Sequence, residues 1–319
     1  TYPAAYKLPR ELLRSLNPHG VYAACAGLQA LADAGLAEKD VCDGATALFC
    51  ASAGSTWLLS RNVNTLHESK VLHGAPFGVL SGISGTLNFN LASFFKIRGG
   101  NCGFVSACTS STHALGFAID EVRLGRHERV IVIGAEEDMA ETVLPFAAMR
   151  VLSDSLDPEK ASCPFDAARS GFTACGGACA IVVESETAAK ARGAKPYAKL
   201  LGWAHTSDGF SPAQPAPDGA GVQRAMTKAL ADAGVSPAEI GYVNAHATST
   251  LAGDAAEALA IRRLFETSGA RPAVSSTKAL TGHGLSLAGA QETAFCALAL
   301  RGGFIPGCAH LHNPCRETE

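Results

Sequence analysis

The sequence predicts an α/β protein whose core is a parallel sheet covered by helices. Three observations carry that prediction. Short apolar runs, "ATALFCAS" (45–52) and "RVIVIGAEE" (129–137), have the length of buried strands and are too short for helices. The stretches between such runs are helical in pattern and close at glycines. Residues 102–137 read strand, helix, strand, the βαβ unit that parallel pairing needs.

Taken in order, 19–36 ("HGVYAACAGLQALADAGL") reads as a helix closed by Gly35, and 45–52 as a buried strand leaving into the turn "AGS". Residues 76–96 mix Gly, Ser, Phe and Leu without a clean period. A strand is expected at "CGFVSA" (102–107), a helix over 108–125 ending at Gly125, and a buried strand at 129–137. The second half repeats this grammar. A strand and a helix fill 175–194, a strand 198–208 ("AKLLGWAHTSD"), a helix 219–235, a strand 240–250 and a helix 252–265. A short strand at 273–280 and an apolar helix at 286–303 complete it. No low-complexity linker separates the two halves, which meet near 150–175; the division used is 1–165 and 166–319.

Composition narrows the function classes. A chain of 319 residues, 47% hydrophobic and 17% charged, has ample core for one large domain or two ordinary ones. Its net charge is −3, and no basic cluster suggests a nucleic-acid or membrane surface. No apolar run reaches the roughly 18 residues of a membrane span. No signal peptide is legible, although the chain opens at Thr1 and not at Met. Eleven cysteines, an odd number without a C-x-x-C pair, predict a reduced, cytoplasmic protein. Several of them (Cys25, Cys50, Cys175, Cys179, Cys296) lie among Ala, Gly and Leu, where cysteine acts as a small hydrophobe.

Cys108 differs from these. It stands where a strand ends and a helix begins, close to free backbone N–H groups and the positive end of the helix dipole. Both favour the thiolate. Ser106, Ala107 and Ser110 are small enough for a sharp turn and for a substrate to approach. A buried structural thiol is the competing reading. In "NAHATST" (244–250) a strand ends in His246 at the sheet edge where doubly wound proteins bind ligands. In "SSTKALTGHGLSLAGAQE" (275–292), Lys278 and His283 flank a turn after a short strand. Alone, each is as readily an ordinary structural or surface residue. A thiol and two imidazoles at such junctions are stronger together.

The blocks "SACTSS", "CPFDAARSGFTACGGACAIVVE", "AHATST" and "STKALTGH" resemble, in order and spacing, the signatures of β-ketoacyl-ACP synthases. These are the elongating condensing enzymes of fatty acid and polyketide synthesis. The likeness runs from the helix at 19–36 to "GGFIPGCAHLHNP" (302–314), and "ASFFKIRGGNCGFVSAC" is most similar to the type I/II bacterial enzymes. The resemblance implies a thiolase-like αβαβα five-layered fold of two related halves and a homodimer, with a heterodimer of related synthases as a variant. Acyl and malonyl thioesters arrive on acyl carrier protein, with no metal and no cofactor beyond the carrier's phosphopantetheine.

Residue by residue, the resemblance makes Cys108 the acyl-accepting nucleophile and His246 and His283 its two histidine partners. Lys278 matches the lysine beside them. Asp254, Glu257 and Glu292 match acidic residues that neutralise and orient that lysine. Thr248 and Thr250 match positions bonding the phosphopantetheine arm, and Asp166 and Arg169 match fold-bracing residues. Lys7, Arg10, Arg14 and Lys70 resemble the carrier-docking surface by position. The family also carries an N-terminal strand with a GxG turn and a C-terminal Gly-rich gating loop, neither matched in these residues. Their lack implies open strand edges and exposed apolar surface.

Three other readings compete. A non-condensing partner of the chain-length-factor kind lacks the nucleophile, whereas Cys108 is present. A thiolase or priming synthase differs at the second histidine, since priming enzymes place Asn where "TGHGLS" has His283. A scaffold retaining the fold as a relic would hold no selectively reactive thiol.

Overall fold

The computed structural model describes residues 6–70 and 76–318. Helices α1 (Arg10–Ser15) and α2 (Pro18–Asp33) precede strand β1 (Thr46–Ala51). Then come α3 (Thr56–Ser69), α4 (Gly78–Gly82), α5 (Leu87–Phe95), β2 (Asn101–Phe104), α6 (Ser110–Arg123) and β3 (Arg129–Glu136). They are followed by α7 (Ala140–Ala148), α8 (Pro158–Ala161), β4 (Gly177–Glu184), α9 (Glu186–Ala191), α10 (Ala220–Ala233) and β5 (Tyr242–Asn244). The chain closes with α11 (Leu251–Glu266), β6 (Ala273–Ser275), α12 (Lys278–Thr281) and α13 (Ala288–Gly302). No described helix is long and apolar enough to cross a membrane.

By contacts the chain forms two units that interleave in sequence: 1–145 with 175–196 and 284–295, and 146–174 with 197–283 and 296–319. The division at 165/166 drawn from the sequence falls inside the second.

The first unit is built on a sheet in the order β2-β1-β3-β4. Strand β1 is parallel to both neighbours, with Ala51 opposite Phe104 on one side and Gly134 on the other. Strand β4 closes the sheet antiparallel to β3, so the parallel expectation fails at that edge. Strand alternation sends Leu48, Cys50, Ile131 and Ile133 into a core with α2 and α5. Ala47, Phe49, Val130 and Val132 face Ala114, Leu115 and Ala118 of α6 on the other side. Both faces are covered, which is why these strands read as unbroken apolar runs. Helix α2 starts as its sequence dictates: the Asn17 side chain accepts from Gly20 N at 2.7 Å and Pro18 fills the first turn.

The second unit pairs β5 with β6, parallel, and lays α11 over them through Ala258, Ile261, Leu264 and Phe265. Residues 198–208, read as a strand, form none among the described residues. An extended pattern becomes a strand only where a ladder takes it up. Helix α3 was not legible because its run "TWLLSRNVNTLHES" buries no residue and follows a turn signal. Lys278, placed in a strand by its neighbours, opens α12 instead.

Ile131 is fully buried between the helical layers. Ile131→Ala should lower unfolding stability by about 2–5 kcal/mol, read by urea titration; a loss under about 1 kcal/mol would show that this core does not hold the sheet.

Candidate active site

The segment after β2 forms a tight elbow. Ala107, a residue with a Cβ, takes φ +48°, in the left-handed region that costs such a residue energy. Five hydrogen bonds hold it there. Thr109 N donates to Ser106 O at 3.1 Å and Ser110 N to Ala107 O at 3.2 Å. The Thr109 and Ser110 hydroxyls donate to the same two carbonyls at 2.7 and 2.6 Å. Ser106 N donates to Ser110 Oγ at 2.8 Å. Cys108 is thereby lifted, half-buried, two residues ahead of the first turn of α6. A larger residue at Gly289 would collide with Thr112 one turn into that helix. Six other thiols are disfavoured as thiolates: burial pushes Cys25, Cys50, Cys163, Cys308 and Cys315 up, and Cys179 to about 11.

In the second unit the loop after β5 carries His246. The Glu257 carboxylate, on α11, accepts from His246 N at 2.8 Å and Ala247 N at 2.6 Å. Ser276 Oγ donates to Ala247 O at 2.8 Å. His283 is fixed by its own N–H, which donates to Thr173 O at 2.7 Å. Its ring meets Phe172 edge-on at 5.2 Å and His246 edge-on at 5.1 Å. Lys278 is 2% exposed, and its backbone carbonyl accepts from Ser162 Oγ at 3.2 Å.

These surroundings decide protonation. Burial first, then the Lys278 charge, push His283 down to about 3. Burial, Lys278 and then His283 hold His246 well below the ordinary imidazole value. Solvent nevertheless reaches the His246 side chain. A cation and a second imidazole both oppose protonation wherever solvent touches the ring. Both rings are neutral near pH 7, each with one N–H to donate. Among the described residues, neither unit alone gathers three His, Cys, Asp or Glu side chains in ligand geometry.

Residues 3–189 match the family description "Beta-ketoacyl synthase, N-terminal domain", and residues 197–312 match "Beta-ketoacyl synthase, C-terminal domain". The chain belongs to the β-ketoacyl synthase family. It is 37% identical to 3-oxoacyl-[acyl-carrier-protein] synthase 1 of Haemophilus influenzae over 93% of this chain and 73% of that protein. It is 38% identical to 3-oxoacyl-[acyl-carrier-protein] synthase 2 of Rhizobium meliloti over 98% of this chain and 75% of that one. A β-ketoacyl synthase from Burkholderia phymatum superposes with TM-score 0.91 at 31% identity, over 100% of this chain and 77% of its own. The fold is accordingly thiolase-like.

Within this synthase the remaining expected residues fall into distinct places. Asp254 is held by backbone amides. It is fully buried and accepts from Phe165 N at 2.9 Å and Thr250 N at 3.2 Å, with Arg169 Nε at 3.8 Å. It thus holds left-handed Phe165 (φ +64°) and the residue that follows left-handed Ser249 (φ +68°), so its place on α11 fits loop support. Glu257 bonds the histidine loop and also feels the Lys278 charge. Glu292 lies on α13 in the first unit. Thr248 and Thr250 share a hydroxyl contact of 3.1 Å. Asp166 accepts from the Ala168, His312 and Asn313 amides, and Arg169 donates to the Thr250, Asp166 and Leu251 carbonyls. Lys7, Arg10, Arg14 and Lys70 are all exposed. The sequence reading missed Phe172, the ring against His283; its signal was the aromatic closing "RSGF".

The pH dependence follows. Unfolded histidine titrates near about 6.5, whereas folded His283 does so near about 3. The unfolded chain binds more protons between these values, so this contribution is full above the upper value and lost as pH falls toward the lower. Asp254, pushed up to about 6, works in the opposite sense, fading as pH rises through that value. His283→Asn removes only the first effect. On acidification from about pH 7 to about pH 5, the wild-type urea midpoint should therefore fall faster than the variant's. Parallel curves would mean that His283 is not held neutral.

Proposed function

We propose that the chain is a 3-oxoacyl-[acyl-carrier-protein] synthase that extends an acyl chain by decarboxylative Claisen condensation. The observation that carries this reading is the pair of neutral imidazoles packed edge to face, ring centres 5.1 Å apart, beside a buried lysine. Family membership supports it. In this reading Cys108 acts with His246 and His283. The Cys108 thiolate attacks the carbonyl of an acyl thioester on acyl carrier protein. The carrier's phosphopantetheine thiol leaves, protonated. Malonyl-ACP then binds, its carbon–carboxylate bond breaks, and CO2 departs. The electron pair stays as a thioester enolate. The enolate carbon attacks the Cys108 thioester, a carbon–carbon bond forms, and the Cys108 thiolate is released.

The difficult species is the enolate, whose oxygen gathers charge. Two N–H donors, fixed in place and kept neutral, stabilise that oxygen more than they stabilise the ground-state carbonyl. An imidazolium would donate as well, but burial beside Lys278 makes it costly. Thr248 and Thr250 offer hydroxyls to the phosphopantetheine arm. Lys278 is taken as a charge that orders the site, and Glu292 as an acid that neutralises and orients that lysine. The chemistry calls on no metal and no redox cofactor.

Two surfaces suit the expected partners. The outer edge of β2 pairs with no other described strand, and Val105 and Phe117 stand exposed beside it. A second copy of the chain, or a related synthase, would extend the sheet there. On α1, Arg10 and Arg14 share an exposed face opposite buried Leu12. With Lys7 and Lys70 they provide local positive charge for an acidic carrier on a chain of net charge −3.

Mass spectrometry after incubation with acyl-ACPs tests the reading. Acyl mass should appear on Cys108, and iodoacetamide should modify Cys108 before Cys102 or Cys179. His283→Ala should keep acyl transfer measurable while malonyl decarboxylation falls by about 10²–10³ or more. Equal loss of both half-reactions in a folded variant would refute the assigned role.

Reversing Arg10 and Arg14 to Glu tests docking. The apparent KM for acyl-ACP should rise, most at low ionic strength. The rate with an acyl-pantetheine thioester, which carries no acidic protein, should stay within about two-fold. If both substrates slow equally, the patch supports the fold and does not dock the carrier.

A further inference from the structure

A buried polar cluster at the carboxyl edge of the first unit's sheet takes no part in the chemistry above. His19 of α2 is 1% exposed, and its Nε2 lies 2.9 Å from Ser52 Oγ, just past the end of β1. Its Nδ1 is 3.6 Å from Glu137 Oε2, just past the end of β3, an ion-pair separation longer than a hydrogen bond. Glu137 is 3% exposed. Its carboxylate accepts from Ser55 Oγ at 2.7 Å and Thr142 Oγ1 at 2.8 Å. Burial alone would raise this carboxyl; the interactions with His19, Ser55 and Thr142 outweigh it and hold it below the usual range. A histidine and a carboxylate buried this deeply are costly to retain for stability alone.

What they grip is one turn, residues 52–55. Ser52 and Ser55 are the two residues held from beneath. Ser52 Oγ also accepts from Gly54 N at 3.0 Å, and Ser55 Oγ caps α3 by accepting from Leu58 N at 3.2 Å. From outside, Ser55 N donates to Gly82 O at 2.9 Å. Gly54 has φ +85° and no room for a side chain, since a Cβ would lie 2.6 Å from Ser84 N. Every residue of the turn except exposed Ala53 is buried.

The turn's place gives this anchoring a consequence. Ala51 is opposite Phe104 in the parallel register, so 52–55 leaves the sheet one strand spacing, about 4.8 Å, from the segment that becomes the Cys108 elbow. Among the described residues, strand β2 is at the sheet edge and the strand beside it is β1. An acyl chain on Cys108 that runs along the carboxyl edge of this unit therefore meets this turn first.

We propose that His19 and Glu137 are positioning residues that set acyl-chain selectivity by pinning the 52–55 turn beside the nucleophile. The proposal rests on Cys108 as the acyl-carrying thiol. A pinned turn presents a wall of fixed depth, and a wall that cannot give discriminates between chains differing by a few methylenes. Released, it yields to longer or shorter chains alike.

The test measures acyl loading of Cys108 by intact mass with butyryl-, octanoyl- and dodecanoyl-ACP. The variants are Glu137→Gln, the double His19→Phe/Glu137→Gln, and Thr142→Val. The double variant avoids leaving one buried charge without its partner. Thr142→Val removes one hydrogen bond while keeping the His19–Glu137 pair, so it stays readable if the others fail to fold. The ratio of fastest to slowest loading should flatten by at least about five-fold in the Glu137 variants, and in the same direction but less in Thr142→Val. Iodoacetamide alkylation of Cys108 should stay within about two-fold, because the elbow itself is unchanged. Unchanged ratios in folded variants, or a uniform fall at all three lengths, would overturn the proposal. Failure of the wild-type Cys108 to accept any acyl group would instead overturn the synthase reading on which it rests.

Discussion

One backbone compromise governs the first unit's chemistry: Ala107 in the left-handed region. A conformation that glycine adopts freely costs an alanine on the order of 1 kcal/mol or more. Five short hydrogen bonds among residues 106–110 keep it in place. The gain is positional. The chain leaves β2 at Phe104, turns through residues 105–109 and enters α6 at Ser110, with Cys108 inside the turn. Cys108 lies in neither element: β2 has ended four residues earlier, and Thr109, the cap of α6, follows it. The crowd of small hydroxyl residues around the thiol is therefore the hydrogen-bonding equipment of the turn, as well as room for a substrate.

Buried carboxylates play a comparable part elsewhere, and their surroundings make each one different. Glu257 spends both oxygens on two consecutive amides and so fixes the direction in which His246 leaves its loop. Asp254, one turn earlier on the same helix, spends its oxygens on Phe165 and Thr250, joining two loops that are each strained at one residue. Glu136 ends a fully buried strand, and burial raises its carboxyl; it accepts weakly from the Glu137 and Ser286 amides at 3.3 Å. None of these groups needs to touch a substrate to matter. Each converts a helix or strand end, whose place is set by apolar packing, into a fixed loop.

Much of this was legible in the sequence, for identifiable reasons. The strands 46–51 and 129–136 and the helices 18–33 and 110–123 are regular elements with apolar faces and glycine stops, so pattern alone finds them. Cys108, His246 and His283 could be singled out because each stands at the end of an apolar run among small residues. What failed depends on partners that pattern does not carry. Residues 198–208 alternate like a strand but join no described ladder, and α3 is a helix without a buried face. The loop bonds of Asp254 were not legible, because sequence spacing puts it and Glu257 on one helix but does not say which loops lie against it. His19 and Glu137 were passed over because their meaning lies in a contact between residues 118 positions apart. The doubled glutamate closing an apolar strand was the available signal, since carboxylates there must be either paired or protonated.

The two histidines show how such scaffolding becomes chemistry. Left in water, a pair of imidazoles would be partly protonated near neutrality and free to turn. Here the backbone of one is held through Glu257 and that of the other through Thr173, while Phe172 walls one ring. Lys278 then acts as a charge that never has to move. By opposing protonation of both rings it leaves neutral N–H donors; in the proposed mechanism their bond to an enolate oxygen would strengthen only as that oxygen becomes negative. A lysine aimed directly at the oxygen would bind carboxylate and enolate alike, stabilising the malonyl ground state together with the species that follows it. Placing the charge behind neutral donors separates the two, and that separation is what a decarboxylation step requires.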